Sequence, residues 1–256
     1  MSSSPNTEEV LGVECHAGPF ELAGPPETRS SQVPTRQTRL VELVLVLGIA
    51  FSPSIFHSFA SIQKELPAPS GEGFVYGISS QLISLAVLIY ILQRQGRSLR
   101  EIGPGFSLRD LPVSVVLFGV GYCSWRFSYW VLAYFYKEIV GSIYHPKAVS
   151  AALFGVGLSV SSLIYTMVNP FKEELLARAY LMTEVNFITG SVWISVVVSV
   201  LFQTSYHFYQ GVIPAISFIA TFSLFAFYFA KTKRIMPIIL AHLFLDLMAW
   251  TLHAMS

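Results

Sequence analysis

The segment Pro170 to Tyr180, PFKEELLARAY, sets two adjacent carboxylates, a lysine and an arginine into a chain that is otherwise strongly apolar. On an α-helix Glu174 and Arg178 stand four apart and share a face, so that acid is paired locally; Glu173 is rotated by roughly 100° and is left free. Further on, YHFYQG carries His207, and PIILAHLFLDLM carries His242 and Asp246, which a helix projects from one face. An ionisable group at membrane depth costs about 2.5–3.5 kcal/mol on insertion scales and must face the bundle interior or water. Glu173, Glu174, Arg178, His207, His242 and Asp246 sit on three different spans, and their cost is reduced if they meet. Glu173 and His207 each lie about 17 residues from the turn at Thr189 and Gly190, so an antiparallel hairpin brings them level.

Two chemistries are open to this set. A carboxylate beside imidazoles can activate water, and donors in a water-poor cavity can stabilise charge developing on a carbonyl oxygen. Glu173, His207, His242 and Asp246 are equally a credible ligand set for Zn or another divalent ion, although no HExxH helix marks a metal site. His242 lies only about 12 Å along a helix from the basic pair Lys233 and Arg234, so convergence requires the polar hairpin Glu184 to Gly190 to protrude past that surface. The site then lies nearer the basic leaflet.

The elements that must position these groups are membrane helices. The 256 residues are 53% hydrophobic and only 12% charged, with a mean hydropathy of +0.58, more apolar surface than one soluble domain hides. The expected fold is all-α: a polytopic transmembrane bundle of about seven helices, with room for an eighth. The spans run roughly Leu40 to Ala60, Phe74 to Leu92, Leu111 to Tyr136, Val149 to Val168 and on into the acidic segment, Val192 to Tyr209, Val212 to Ala230, and Ile235 to Leu252. Residues 1–38, rich in Ser, Pro, Gly and Glu, read as a disordered tail with no signal peptide pattern; 39–148 hold the N-terminal helices and 149–253 the polar site. Ten Lys and Arg fall on the side of the N-terminus, against Lys64, Lys137 and Lys147 on the other, which places the N-terminus in the cytoplasm. A net charge of +1 gives no reason to expect nucleic acid, and Cys15 with Cys123 makes a poor disulfide pair.

EELLARAYL, YHFYQG and PIILAHLFLDLM, in that order at membrane depth, resemble the three motifs of the CPBP family of CAAX-protease and bacteriocin-processing intramembrane proteases, also called Abi, which includes the Ras-converting CAAX endopeptidase. The resemblance covers about Val149 to Trp250. It implies that Glu173 is the general base, that His207 helps to deprotonate the attacking water, that His242 and Asp246 stabilise the oxyanion, and that Glu174 and Arg178 are a supporting pair. It favours a metal-free glutamate mechanism without a cofactor, zinc being the rival. Three positions depart from the motifs: Ala179 stands where Gly is usual, Gln203 where Phe is common, and Asp246 where many members have Asn. A Gln one turn from His207 could bond to it, and an ionised Asp cannot donate to an oxyanion.

The implied partner is a peptide or protein substrate entering from the membrane or cytoplasmic side, cut near the membrane surface, and the implied location is a bacterial inner membrane. The bland readings are a structural Glu174–Arg178 ion pair, an Asp246 that merely accepts from His242, and structural or lipid contacts for His57 and Arg126. A silent scaffold or immunity protein, or a transporter, are the non-enzyme alternatives.

Overall fold

The computed structural model describes residues 35–63, 70–103, 105–142 and 159–255, and all regular structure among them is helical. Helix α1 spans Arg36–Gln63, α2 Gly71–Arg94, α3 Asp110–Val140, α4 Val160–Glu173, α5 Leu181–Thr189, α6 Val192–Ser205, α7 Val212–Thr232 and α8 Met236–Met255. A π-helical segment, Glu174–Tyr180, joins α4 to α5 without a break, so that seven rods result. The expected disordered tail lies mostly outside the described residues, and α1 already begins at Arg36; the first part of the span expected from Val149 also lies outside them.

Helices α1, α2 and α7 are each long and apolar enough to cross a membrane, and α6 and α8 contribute shorter apolar stretches. Large apolar side chains such as Val41, Val44, Phe127, Trp130 and Trp193 point outward, as they do where lipid replaces water as solvent. The fold is that of a helical membrane bundle. The span expected over Val192 to Tyr209 is shorter than its composition suggests. Helix α6 ends at Ser205, because Ser58 on α1 donates its hydroxyl to the Tyr206 carbonyl at 2.6 Å and Gly211, at φ 101°, turns the chain back into α7.

Packing places α3 along α7 and α8, α2 along α4, α4 along α8, and α5–α6–α7 as successive neighbours. Phe51, Leu176, Tyr180, Phe225, Ile238 and Ile239 form the dry centre. Ser159 and Ser191 cap α4 and α6 by accepting from Ser162 N–H at 3.1 Å and Ile194 N–H at 3.4 Å.

The polar hairpin does not protrude as a solvated loop at Glu184. That carboxylate is fully buried, paired with Arg97 of the α2–α3 linker and, at 3.5 Å, with Arg39 of α1. Two arginines repay its desolvation, and the hairpin is thereby bolted to the end of the bundle that carries most of the basic residues. At the same end Arg234 pairs with Asp110 at 2.7 Å, and Ile235 N–H donates to the Gly103 carbonyl at 3.3 Å. These bonds fix the start of α8, and hence the height of His242.

Gly103 has φ +90° and lies against the Lys233 carbonyl oxygen, so a Cβ there meets backbone as well as strain. Gly103→Ala is expected to cost about 1–3 kcal/mol and to lower the thermal unfolding midpoint in detergent, whereas Gly105→Ala, with open space around it, leaves the midpoint in place.

Candidate active site

Pro170 lacks an N–H to continue the ladder of α4, and the helix widens into the π segment four residues later. Glu173 is the last residue before the widening and Glu174 the first within it. The sequence geometry of a regular helix sends these two carboxylates in different directions; here both line the same cavity of about 520 Å³. His207, His242 and Asp246 line it too. The cavity thus gathers residues from α4 and the π segment, from the turn after α6, and from α8.

Glu174 is the most enclosed of the acids. Its Oε2 accepts from Arg178 Nε at 2.5 Å and its Oε1 accepts from His242 Nδ1 at 2.9 Å. The ion pair expected from the spacing is present, but the same carboxylate also orients the imidazole of α8. Arg178 is fully buried and spends its remaining donors on the Phe222 carbonyl at 3.1 Å and on Gln203 Oε1 at 2.7 Å. Gln203 Nε2 donates to Ser199 Oγ at 3.1 Å, and Ser199 donates to the Ala177 carbonyl at 2.7 Å. This closed network ties the π segment to α6 and α7.

Glu173 is not free, as the spacing alone suggested. Asn169 Nδ2 donates to its Oε1 at 3.0 Å, and the Tyr206 hydroxyl donates to its Oε2 at 3.3 Å. Lys172 beside it turns away to lie 4.1 Å from the centre of the Phe51 ring, which also stacks on Tyr206 at 4.8 Å.

The two histidines present their Nε2 edges for chemistry. His207 Nδ1 lies 2.7 Å from the Gln203 carbonyl, which can only accept, so Nδ1 carries the proton. The expectation that the Gln203 side chain bonds to His207 is corrected: its backbone does, and its amide serves Arg178. The His207 ring is walled by Tyr206, Phe218 and Phe222, with centroids 4.7, 5.7 and 5.0 Å away. His242 Nδ1 donates to Glu174, and its Nε2 stands 3.6 Å from Asp246 Oδ1, an electrostatic contact beyond hydrogen-bond length. Arg126 of α3 also lines the cavity, with its guanidinium 5.7 Å from the Trp125 ring centre, and His57 faces the Tyr209 ring at 6.4 Å. Among the described residues no group of three or more His, Cys, Asp or Glu side chains is arranged to hold a metal ion.

With this geometry in view, the comparison with known families is specific. Residues 155–248 match the model of the type II CAAX prenyl endopeptidase Rce1-like family. Over that segment, somewhat more than a third of the chain, the sequence is similar to this family. The match begins ahead of α4 and ends within α8, so it contains Glu173, Glu174, Arg178, His207, His242 and Asp246, and it agrees with the CPBP resemblance carried by the three motifs. No curated protein and no solved structure matches the chain. Helices α1, α2 and α3 lie outside the Rce1-like segment, yet α3 walls the cavity, Gln81 of α2 bonds to Asn169 of its lining, and Ser58 of α1 bonds to the Tyr206 carbonyl.

Asn169, Tyr206 and Gln203 are the partners that the acid and histidine pattern does not single out. Asn169 was legible by the same rule that pairs Glu174 with Arg178, since it stands four residues before Glu173. Removing one member of a buried pair strands the other charge, so Arg178→Met is expected to cost roughly 3–5 kcal/mol, seen as loss of the folded monodisperse fraction or a large drop in thermal midpoint. Ser199→Ala, at the periphery of the same network, is expected to cost about 1 kcal/mol.

Proposed function

We propose that the protein is an intramembrane endopeptidase of the CAAX-protease type, in which Glu173 and His207 activate a water molecule against a peptide carbonyl. The observation that carries this reading is the single cavity onto which Glu173, His207, His242 and Asp246 all open. The Rce1-like match supports the reaction class.

In this mechanism water lies between Glu173 and the Nε2 edge of His207. Glu173 accepts a proton from the water as its oxygen bonds to the carbonyl carbon, and the carbonyl electrons move onto oxygen. His242, with Nδ1 fixed on Glu174, turns Nε2 toward the oxyanion and donates to it when protonated. The tetrahedral intermediate collapses with cleavage of the C–N bond, and the proton held by Glu173 passes to the leaving nitrogen. The products are a carboxylic acid and an amine, and Glu173 returns to its starting state. Asp246, near the same Nε2, holds the imidazole in place and competes with the oxyanion for it. No metal is required in this scheme; Glu173, His207, His242 and Asp246 would be the ligands in the metal alternative.

The substrate class is a peptide or protein segment reaching the cavity from the membrane or from the basic, cytoplasmic face, in a bacterial inner membrane with the N-terminus in the cytoplasm. The test is cleavage of quenched fluorescent peptides by the full chain in detergent or proteoliposomes. Glu173→Gln and His207→Ala are each expected to lower turnover by about 10²–10⁴-fold without loss of folded yield, and His242→Ala nearly as much. Wild-type turnover indistinguishable from Glu173→Gln overturns the reading in favour of a silent scaffold. Asp246→Asn is expected to raise turnover, because an amide donates to the oxyanion where a carboxylate repels it. Loss of activity in Asp246→Asn together with inhibition by chelators selects the metal alternative instead.

A further inference from the structure

Glu173 is reached by a residue from outside the Rce1-like segment. Gln81 of α2 is buried, and its Nε2 donates to Asn169 Oδ1 at 3.2 Å. With Oδ1 committed to Gln81, the Asn169 amide has one orientation: Nδ2 points at Glu173 Oε1, 3.0 Å away. Asn169 also lines the cavity, as Asp246 does. One neutral amide therefore stands among two acids of the site, with its polarity set from a helix that belongs to the other half of the chain.

We infer that Gln81 and Asn169 form a positioning relay in which α2 holds the carboxylate of Glu173 in its working orientation. If the Gln81 donor is lost, Asn169 Oδ1 is left without its partner, and the amide can shift to find another donor, which weakens the hold of Nδ2 on Glu173. A displacement of about 1 Å of such a group costs on the order of 10²-fold in rate. A Pro at position 170 also breaks the backbone ladder beside Asn169, so a side-chain tether from α2 replaces part of the restraint that a regular helix would supply. The matched segment alone is then an incomplete site.

The inference rests on the peptidase reading for its kinetic readout but not for its structural one. The full chain is compared with Gln81→Leu and Asn169→Leu, and with Asn169→Asp alone and joined to Asp246→Asn. A positioning relay lowers kcat by about 10²-fold in Gln81→Leu and leaves KM within about two-fold, because peptide binding does not touch Gln81. Asn169→Asp alone is expected to be the worst variant, since it sets a third carboxylate against Glu173. Adding Asp246→Asn returns the cluster to two acids and one amide, and activity recovers by more than the gain that Asp246→Asn brings to the otherwise unchanged chain, a coupling that independent defects do not show. Isotope-edited infrared spectra of labelled glutamate, read as the difference from Glu173→Gln, report the hydrogen bonding of the Glu173 carboxyl without turnover. A changed carboxyl band in Gln81→Leu supports the relay even if no peptide is ever cut. An unchanged band, or a Gln81→Leu enzyme with wild-type kcat, or a double variant that gains no more over Asn169→Asp than Asp246→Asn gains over the unchanged chain, overturns it. Thermal midpoints of each variant separate these outcomes from simple unfolding, and for a variant that does not fold the Gln81→Met form, which keeps the length of the side chain, takes its place with the same two outcomes.

Discussion

The structure depends on one buried carboxylate serving two donors. Glu174 accepts from Arg178 on its own helix and from His242 on α8, and neither bond reaches solvent. In hydrocarbon, a charge of this kind is tolerated only when its partners satisfy it fully, and Arg178 in turn consumes Gln203 and the Phe222 carbonyl. The network is thus a constraint that fixes four segments at once: the π segment, α6, α7 and α8. Its cost and its specificity have the same source, since each buried charge takes its partners from neighbouring segments.

Around that constraint the two acids divide the work. Glu174 is enclosed and paired with Arg178 and His242, while Glu173, one residue earlier, accepts from the neutral donors Asn169 and Tyr206. The π widening lets adjacent residues share one cavity while their environments differ, which a regular helix turn does less readily. The histidines follow the same logic, each with Nδ1 occupied by protein and Nε2 directed elsewhere.

The charged members of the site were legible in the sequence because an apolar background makes each of them conspicuous. Glu173, Glu174, His207, His242 and Asp246 needed only helical spacing to suggest a meeting point. Their neutral partners were less conspicuous: Asn169 could be reached only by its four-residue spacing from Glu173, and a tyrosine in a run of aromatics carries no charge signal against the rest of the chain. Glu184 misled for a different reason: a polar hairpin reads as solvated, and only the fold brings Arg39 and Arg97 from distant segments to bury it. The helical class and the seven rods among the described residues followed from hydropathy, whereas the exact end of α6 did not, because the hydroxyl of Ser58 that captures the Tyr206 carbonyl comes from another part of the chain.

The brevity of α6 has a consequence for the surrounding lipid. Fourteen residues rise about 21 Å, against roughly 30 Å for a hydrocarbon core. Acyl chains beside this flank face a wall too low for them, and the bilayer meets the mismatch by dimpling there. Such a depression would shorten the path between headgroup water and the bend that carries His207.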